Sequence, residues 1–195
     1  MLQRRTRSIV SLFTLPFAAA LIVGLSGATA PAHDPDAPLW LQASLSARKL
    51  TIMKGDSVVK QFDVAVGHPD HPTPTGTFTI QKLIWNPAWV PPDEKWARGK
   101  KPAAPGAPNN PMKTVKIFFQ EPDYYIHGTG AVESLGEAAS HGCLRMDPDE
   151  AAEVALMLMD NSGTSKDFDW VKGILHLGAQ HAVSLAVPVA MVITS

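Results

Sequence analysis

The sequence predicts a mostly β domain with one or two packed α-helices. Short runs of alternating apolar and polar residues, each bounded by turn residues, recur along most of the chain. One later stretch instead has apolar residues at helical spacing, preceded by residues that commonly start helices. The chain has 195 residues, of which 45% are hydrophobic, so a single domain with a sizeable core is expected.

The N-terminal segment has the pattern of an export signal. Three arginines precede an almost uncharged apolar run over residues 9–27, and small residues follow it. We assign residues 1–32 to a signal peptide that is cleaved after Ala32. An uncleaved membrane anchor is the alternative, because the apolar run is close to the length that spans a bilayer. Residues 33–38 are assigned to a linker and residues 39–195 to one folded domain.

The expected strands are short and separated by turn signals: 41–45, 49–53, 58–66, 77–85, 113–119, 124–126, 183–185 and 187–193. In the third of these strands, one face is expected to carry the apolar side chains of Val58, Phe62, Val64 and Val66. Pro188 lies inside the last strand, where proline is tolerated only at an edge or at a bulge.

The stretch from Asn86 to Pro111 is predicted to be a long loop. It carries seven of the seventeen prolines and shows no regular periodicity. Loops of this length inside one domain are uncommon unless they form a lid or a binding surface. We expect the loop to cover a cleft, with Trp89 offering a flat surface to a ligand. The alternative is that its tryptophans only anchor the loop to the core.

Two helices are expected late in the chain. Asp147 is a candidate N-cap, Pro148 suits the first helical position, and Glu150 would complete a capping box. The apolar face of this helix is expected to consist of Ala151, Val154, Ala155, Leu158 and Met159. The helix is expected to end near residues 161–163, and a second helix is expected over residues 166–177.

The net charge and the cysteine content limit the classes of function that this chain can have. The formal net charge is −1, so no basic field points to nucleic acid or to acidic membranes. Cys143 is the only cysteine, and the simplest interpretation of a lone cysteine is a small buried hydrophobe. Here His141 and Gly142 precede it, which favours a nucleophile, since a thiol needs a base to take its proton. Gly142 would also let the chain turn where a strand is expected to lead into a helix.

A metal site is not expected, and neither is a cofactor. His68 and His71, together with His127 and His141, could in principle supply zinc ligands. Prolines directly after His68 and His71 prevent a regular helical pair, however, and no clear carboxylate partner lies nearby in the sequence.

The segment around the cysteine carries a longer motif. His127 is followed, after a short gap, by the run Ser140-His141-Gly142-Cys143-Leu144-Arg145. This arrangement resembles the signature of the L,D-transpeptidase (YkuD-type) domain of bacterial envelopes, in which a histidine precedes a Ser/Thr-His-Gly-Cys run. The resemblance implies a β-sandwich-like catalytic fold over residues 39–195.

The resemblance also implies roles for the central residues. Cys143 would be the nucleophile and His127 the base, with its ring oriented by a backbone carbonyl and not by an acidic side chain. Amides around His141, Gly142 and Cys143 would form an oxyanion hole. Alternation along an extended strand would instead favour His141 as the base, since residues two apart point to the same side. Gly142 permits a bend that breaks this alternation, so we assign the base to His127 and expect His141 to support the cleft through hydrogen bonds.

Further residues are expected to play supporting roles. Ser140 and Thr129 would position neighbouring groups through their hydroxyls, and Gly128 would leave space around the base. Arg145 is expected to pair with a substrate carboxylate, because a guanidinium matches that geometry. The alternative is a structural salt bridge from Arg145 to an acidic residue at the start of the following helix. We also expect a lowered thiol pKa at Cys143, supplied mainly by one imidazole.

The function implied by the resemblance is that of an exported enzyme of the periplasm or cell envelope acting on peptidoglycan. Cys143 would attack a tetrapeptide stem at the carbonyl that joins meso-diaminopimelate to a terminal D-alanine. An amine would then open the thioester, forming a cross-link or attaching a protein to the wall. One alternative is a hydrolase with the same site, either a carboxypeptidase or an amidase that cleaves cross-links. Another is a catalytically silent wall-binding module.

Overall fold

The computed structural model describes residues 36–195. The predicted signal peptide, residues 1–32, lies outside the described residues, as do residues 33–35 of the predicted linker, so both stay predictions. Within residues 36–195, no helix is long and apolar enough to cross a membrane.

The described residues form a mostly β fold with two α-helices, α1 (Pro148–Asn161) and α2 (Phe168–His176). The strands are β1 (Leu39–Ser44), β2 (Lys49–Lys54), β3 (Ser57–Asp63), β4 (Val66–Gly67), β5 (Gly76–Trp85), β6 (Lys113–Gln120), β7 (Tyr124–Gly128), β8 (Ala138–Ser140), β9 (Leu144–Met146) and β10 (His181–Thr194). Two short 3-10 turns cover Lys95–Ala97 and Val132–Ser134. The predicted fold class is confirmed.

Eight of these strands form one sheet in the order β3-β2-β1-β10-β5-β6-β7-β9, and β4 pairs with β8 in a separate ladder. β7 pairs antiparallel with β6 and parallel with β9. A parallel pair needs a connection that leaves the sheet and returns to it, and here residues 129–143 make that connection. The strand that carries His127 and the strand that follows Cys143 are therefore direct neighbours.

Helix α1 packs against β6 and β7 and closes one face of the sheet. Its N-cap and first residue are as predicted, since the Asp147 carboxylate accepts hydrogen bonds from the N–H groups of Asp149 and Glu150 and Pro148 begins the helix. The capping box predicted for the Glu150 side chain stays a prediction. All five residues predicted for its apolar face are buried. They belong to the same hydrophobic cluster as Ile126 of β7, so this face of the sheet is core.

The predicted strand over residues 58–66 was partly wrong. Val58 is 63% exposed and does not share a buried face with Phe62. The register of β3 against β2 shifts midway along the pair. An irregularity of this kind reverses the alternation, so side chains on either side of it point to opposite faces. Val64 and Val66 are buried as expected, but they lie beyond the end of β3.

The C-terminal elements differ in detail from the prediction. The two predicted closing strands form one strand, β10, which lies inside the sheet between β1 and β5. Pro188 falls in a segment where the register against β5 shifts, and proline fits there because it has no N–H for the ladder. The second predicted helix is confirmed as α2, which begins after Asp167 because that carboxylate accepts a hydrogen bond from the Trp170 N–H.

The loop over residues 86–111 is held together by its own contacts. Trp89 and Ala103 exchange two backbone hydrogen bonds of 2.9 Å. The side-chain amide of Asn110 donates to the carbonyl of Pro87 at 2.8 Å. These contacts close the base of the loop and give it a defined path. Its action as a mobile lid stays a prediction.

Candidate active site

Three neighbouring strands place Lys116, His127 and Arg145 side by side on one face of the sheet. Lys116 of β6 pairs with His127 of β7, and His127 pairs with Arg145 of β9. The residues that alternate with them, such as Ile117 and Ile126, are fully buried on the opposite face. The three polar side chains therefore point away from the core.

These side chains line a cavity of about 930 Å³, which Cys143 and His141 also border. The long loop contributes its segment 88–94, Trp96, Lys100 and Pro111 to the same cavity. The carboxylates at its border all belong to exposed residues, which are Asp70, Asp93, Glu94 and Asp123. Within residues 36–195, no group of three or more His, Cys, Asp or Glu side chains is arranged to hold a metal ion.

The segment from Ser140 to Cys143 joins β8 to β9, so the predicted passage from a strand directly into a helix was wrong. Gly142 adopts a φ of +106°, and a Cβ added to it would lie 2.7 Å from a ring carbon of Tyr124. Glycine is therefore required by its conformation and by the close approach of the ring. This turn breaks the strand alternation and lets His141 and Cys143 point in different directions.

The Ser140 hydroxyl holds this turn in place. It donates to the carbonyl of Cys143 at 2.5 Å and accepts from the N–H of Gly142 at 3.1 Å, and the side chain is buried. Because the Gly142 amide is used in this contact, the amides of His141 and Cys143 remain as candidate donors to an oxyanion.

The His127 ring is buried and oriented by the backbone. Its Nδ1–H donates to the carbonyl oxygen of Gly128 at 2.8 Å, which leaves Nε2 as the nitrogen able to accept a proton. Burial lowers the pKa of His127 to about 3. The contact with Gly128 opposes this shift, while the positive charges of Arg145 and Lys116 add to it.

The Cys143 thiol is protonated at neutral pH. Burial raises its pKa to about 11, and contacts from the backbone and phenol of Tyr125 and the charges of Lys116 and Arg145 only partly oppose this shift. The Sγ–H group donates to the carbonyl of Asp123 at 3.4 Å. The expected low thiol pKa was therefore wrong for this conformation, because desolvation outweighs the neighbouring cations. The thiol and the His127 ring are both neutral at rest and do not form an ion pair.

His141 makes ring contacts where hydrogen bonds were expected. Its exposed imidazole stacks on Trp96 with ring centroids 3.9 Å apart and an interplanar angle of 21°, and it lies 4.9 Å from the ring of His71. Desolvation lowers the pKa of His141, and the electrostatic effects of His71 and Arg145 add to this shift. His141 therefore connects the cysteine turn to the long loop.

Arg145 faces the cavity, and no described carboxylate pairs with it. Among residues 36–195, no carboxylate oxygen lies within 4.0 Å of its guanidinium. The alternative of a structural salt bridge to the start of α1 is thus contradicted, and Asp147 serves instead as the cap of that helix. Burial lowers the pKa of Arg145 and the nearby Cys143 opposes this shift.

Thr129, predicted to position neighbouring groups, and Trp89, predicted to offer a surface to a ligand, are both buried. Thr129 is buried, its Oγ1 accepts from the Ala131 N–H at 3.2 Å, and it borders a second cavity of about 310 Å³. His127 and Arg145 border both cavities. Trp89 lines the larger cavity but is only 7% exposed, as expected for a loop anchor.

Sequence reasoning missed Tyr125 and Lys116. The Tyr125 ring lies edge-on to His127 at 5.6 Å, its phenol contacts Cys143, and the Lys116 ammonium lies 4.6 Å from its ring centroid. Alternation along β7 could have placed Tyr125 on the same face as His127. No sequence signal could have placed Lys116, because its position depends on the register between β6 and β7.

Comparisons of the sequence with known proteins all match this chain to L,D-transpeptidases. Residues 38–171 match the YkuD family, described as the L,D-transpeptidase catalytic domain. The putative L,D-transpeptidase YkuD of Bacillus licheniformis is 28% identical over 134 residues, which cover 68% of each chain. The putative L,D-transpeptidase YqjB of Bacillus subtilis is 32% identical over 111 residues, or 54% of this chain and 58% of that protein.

Solved structures share the fold at low sequence identity. An L,D-transpeptidase from Mycobacterium smegmatis superposes with a TM-score of 0.52 and 19% identity, covering 82% of this chain and 59% of that one. The catalytic domain of the E. faecium L,D-transpeptidase gives a TM-score of 0.51 and 16% identity, covering 85% of this chain and 100% of that domain. These matches support the same arrangement of strands and helices.

Proposed function

The chain belongs to the YkuD family of L,D-transpeptidase catalytic domains, and on this premise we propose that it is an exported acyltransferase of peptidoglycan. The proposed donor is a tetrapeptide stem that ends in meso-diaminopimelate and D-alanine. The proposed product is a new amide bond between the donor's diaminopimelate carbonyl and an amine of a second stem or of a wall-attached protein. The proposed place of action is the periplasm or cell envelope.

In the first half-reaction, the Cys143 sulfur attacks the carbonyl that joins meso-diaminopimelate to D-alanine. Nε2 of His127 takes the thiol proton as the carbon–sulfur bond forms. The amides of His141 and Cys143 stabilise the oxyanion of the tetrahedral intermediate. The intermediate then collapses with cleavage of the carbon–nitrogen bond, His127 returns the proton to the leaving nitrogen, and D-alanine departs.

In the second half-reaction, an amine attacks the thioester. His127 takes a proton from the attacking nitrogen, a second tetrahedral intermediate forms, and the thiolate leaves and recovers the proton. At neutral pH the His127 ring is unprotonated, so Nε2 is free to accept a proton in each half-reaction. Substrate contact with the cavity would then shift the thiol toward ionisation.

The observation that carries the proposal is the fixed tautomer of His127 in the same cavity as the lone thiol. The Gly128 carbonyl holds Nδ1–H, so Nε2 is left for proton transfer. Cys143 lines this cavity together with His127. A cysteine nucleophile and a histidine base oriented by a third group form the minimum machinery for acyl transfer.

Incubation with purified sacculi, followed by mass spectrometry of the released muropeptides, tests the proposal. Transpeptidation is expected to create cross-linked dimers and free D-alanine, and neither should appear with Cys143→Ser. Tripeptides without new cross-links would show that water resolves the thioester, which identifies a hydrolase. Intact tetrapeptides together with failure of imipenem to label Cys143 would identify a silent binding module. Imipenem suits this test because a related LD-transpeptidase has been solved in complex with it.

Export is tested separately from the chemistry. Fractionation of the cells that produce the full chain should recover it outside the cytoplasm. Mass spectrometry of its N-terminus then distinguishes cleavage after Ala32 from a retained anchor. Recovery of an uncleaved chain in the cytoplasm would contradict the proposed location.

A further inference from the structure

Lys116 occupies an unusual position for a lysine. It is half-buried on the cavity face of β6, directly opposite His127. Its ammonium lies 4.6 Å from the ring centroid of Tyr125, whose phenol contacts Cys143. The cation therefore stands beside the reacting sulfur, on the side of His127 away from Arg145.

No acidic side chain in the described part of the chain pairs with this cation. Among residues 36–195, no carboxylate oxygen lies within 4.0 Å of the Lys116 ammonium. Burying a cation costs free energy unless an opposite charge compensates it, and burial accordingly lowers the pKa of Lys116. The ring of Tyr125 compensates only in part, since a cation–π contact is weaker than a buried ion pair.

Lys82 is a second lysine of the sheet whose ammonium lies over an aromatic ring, and it serves as a comparison for Lys116. It lies on the adjacent strand β5 with its ammonium 5.2 Å from the ring centroid of Phe118. Lys82, however, also pairs with the carboxylate of Glu121, and it does not line the cavity. The two lysines thus differ in that Lys82 has a carboxylate partner, whereas Lys116 has none among residues 36–195.

We propose that Lys116 is a specificity-determining residue that binds a carboxylate of the acyl donor next to the bond attacked by Cys143. Arg145 offers a second cation on the other side of His127, so the floor of the cavity fits a peptide with two carboxylates near the reacting carbonyl. Four exposed carboxylates and the exposed Lys100 lie at the border of the cavity, whereas both cations of the floor are partly buried.

This inference deepens the proposed function and rests on it for the identity of the donor. In a stem that ends in meso-diaminopimelate and D-alanine, carboxylates lie on both sides of the scissile amide. Lys116 would hold one and Arg145 the other, which fixes the carbonyl against the sulfur. A donor amidated at either carboxylate should therefore react more slowly.

Alkylation of Cys143 tests the anion site without any peptide. Iodoacetate and iodoacetamide form the same carbon–sulfur bond and release iodide, but only iodoacetate carries a carboxylate. The ratio of their second-order rate constants at one fixed pH therefore measures anion recognition, whatever the thiol pKa. We expect Lys116→Met to lower the iodoacetate-to-iodoacetamide ratio about tenfold, as for loss of a charge-assisted contact.

Two matched variants serve as controls. Lys82→Met removes an equivalent stacked lysine outside the cavity and should leave the ratio unchanged. Lys116→Arg keeps the positive charge and should retain most of the preference for iodoacetate. An unchanged ratio in Lys116→Met would overturn the proposal, including the case in which both reagents slow equally because Lys116 only activates the thiol.

A second measurement separates this inference from the proposed function. The acylation rate of Cys143 is compared for a synthetic tetrapeptide with a free or an amidated C-terminal carboxylate. The free peptide should react faster in the wild type, and the difference should shrink in Lys116→Met or in Arg145→Met. If no tetrapeptide acylates the protein while the alkylation ratio still depends on Lys116, the proposed function fails and the anion site stands.

Discussion

The imidazole of His127 is oriented by its own neighbour in the chain, Gly128, whose carbonyl oxygen accepts the Nδ1 hydrogen at 2.8 Å. Gly128 is in turn tightly enclosed. A Cβ added there would lie 2.7 Å from the Lys113 carbonyl oxygen and 2.9 Å from the Cα of Pro148. The docking of α1 against β7 therefore sets the orientation of the candidate base, and no acidic partner is needed.

Cys143→Ser should abolish acyl transfer with little loss of stability. The hydroxyl is too weakly acidic for a base of this strength, and the rate should fall by at least about 10³-fold. The measurement is D-alanine release from a tetrapeptide substrate, with thermal unfolding as the control for folding. Retained transpeptidation by a well-folded Cys143→Ser protein would remove the cysteine mechanism.

His127→Gln should reduce turnover by about 10²–10⁴-fold, the usual range for loss of a general base. His141→Gln should cost much less, because His141 stacks on Trp96 and His71. Loss of turnover in His141→Gln alone would reverse the two assignments.

In the wild type, alkylation of Cys143 should accelerate with rising pH toward the thiol pKa of about 11.

Acid should destabilise the fold through His127. Its pKa is about 3 in the folded state and near 6.5 in an unfolded chain, so the unfolded state binds more protons between these values. The stability conferred by the neutral ring is thus complete above pH 6.5 and declines as the pH falls toward 3, by about 3 kcal/mol near pH 4. Urea unfolding of the wild type and His127→Gln at several pH values tests this, and equal pH dependence would contradict it.

Gly142→Ala should impair both stability and activity. The backbone has a positive φ, and the new Cβ would meet the Tyr124 ring at 2.7 Å. Gly136→Ala is the matched control, because Gly136 has a φ of +81° but no atom within 4 Å of an added Cβ. Backbone strain of about 1 kcal/mol should appear in both, with a further loss only in Gly142→Ala. Equal losses of unfolding free energy in Gly142→Ala and Gly136→Ala would show that the Tyr124 ring moves aside at little cost.

The loop over residues 86–111 should become more protected from hydrogen exchange when a stem peptide or imipenem occupies the cavity. The loop lines the cavity, and its Trp96 stacks on His141. Trp96→Ala should weaken this protection, because the stacking contact ties the loop to the cysteine turn. Equal exchange in the free and occupied states would contradict a lid and leave the loop as a fixed wall.

Several features were readable from the sequence because they depend on neighbouring residues. The start of α1 at Asp147 and Pro148 follows from local capping chemistry, and most strands follow from local alternation. The motif from His127 to Cys143 identified the family, and the two residues predicted to be central line one cavity. Local patterns failed at Val58 and at the cysteine turn, where a register shift and a short additional strand, β9, changed the outcome.

The tertiary structure alone decided how the strands align. Alternation tells which side chains share a face, but sliding one strand by two residues preserves that pattern. Only the pairing of β6, β7 and β9 puts Lys116, His127 and Arg145 at one level. It also decided the charge states of the site, because the burial that raises the thiol pKa of Cys143 and lowers that of His127 comes from segments distant in the chain.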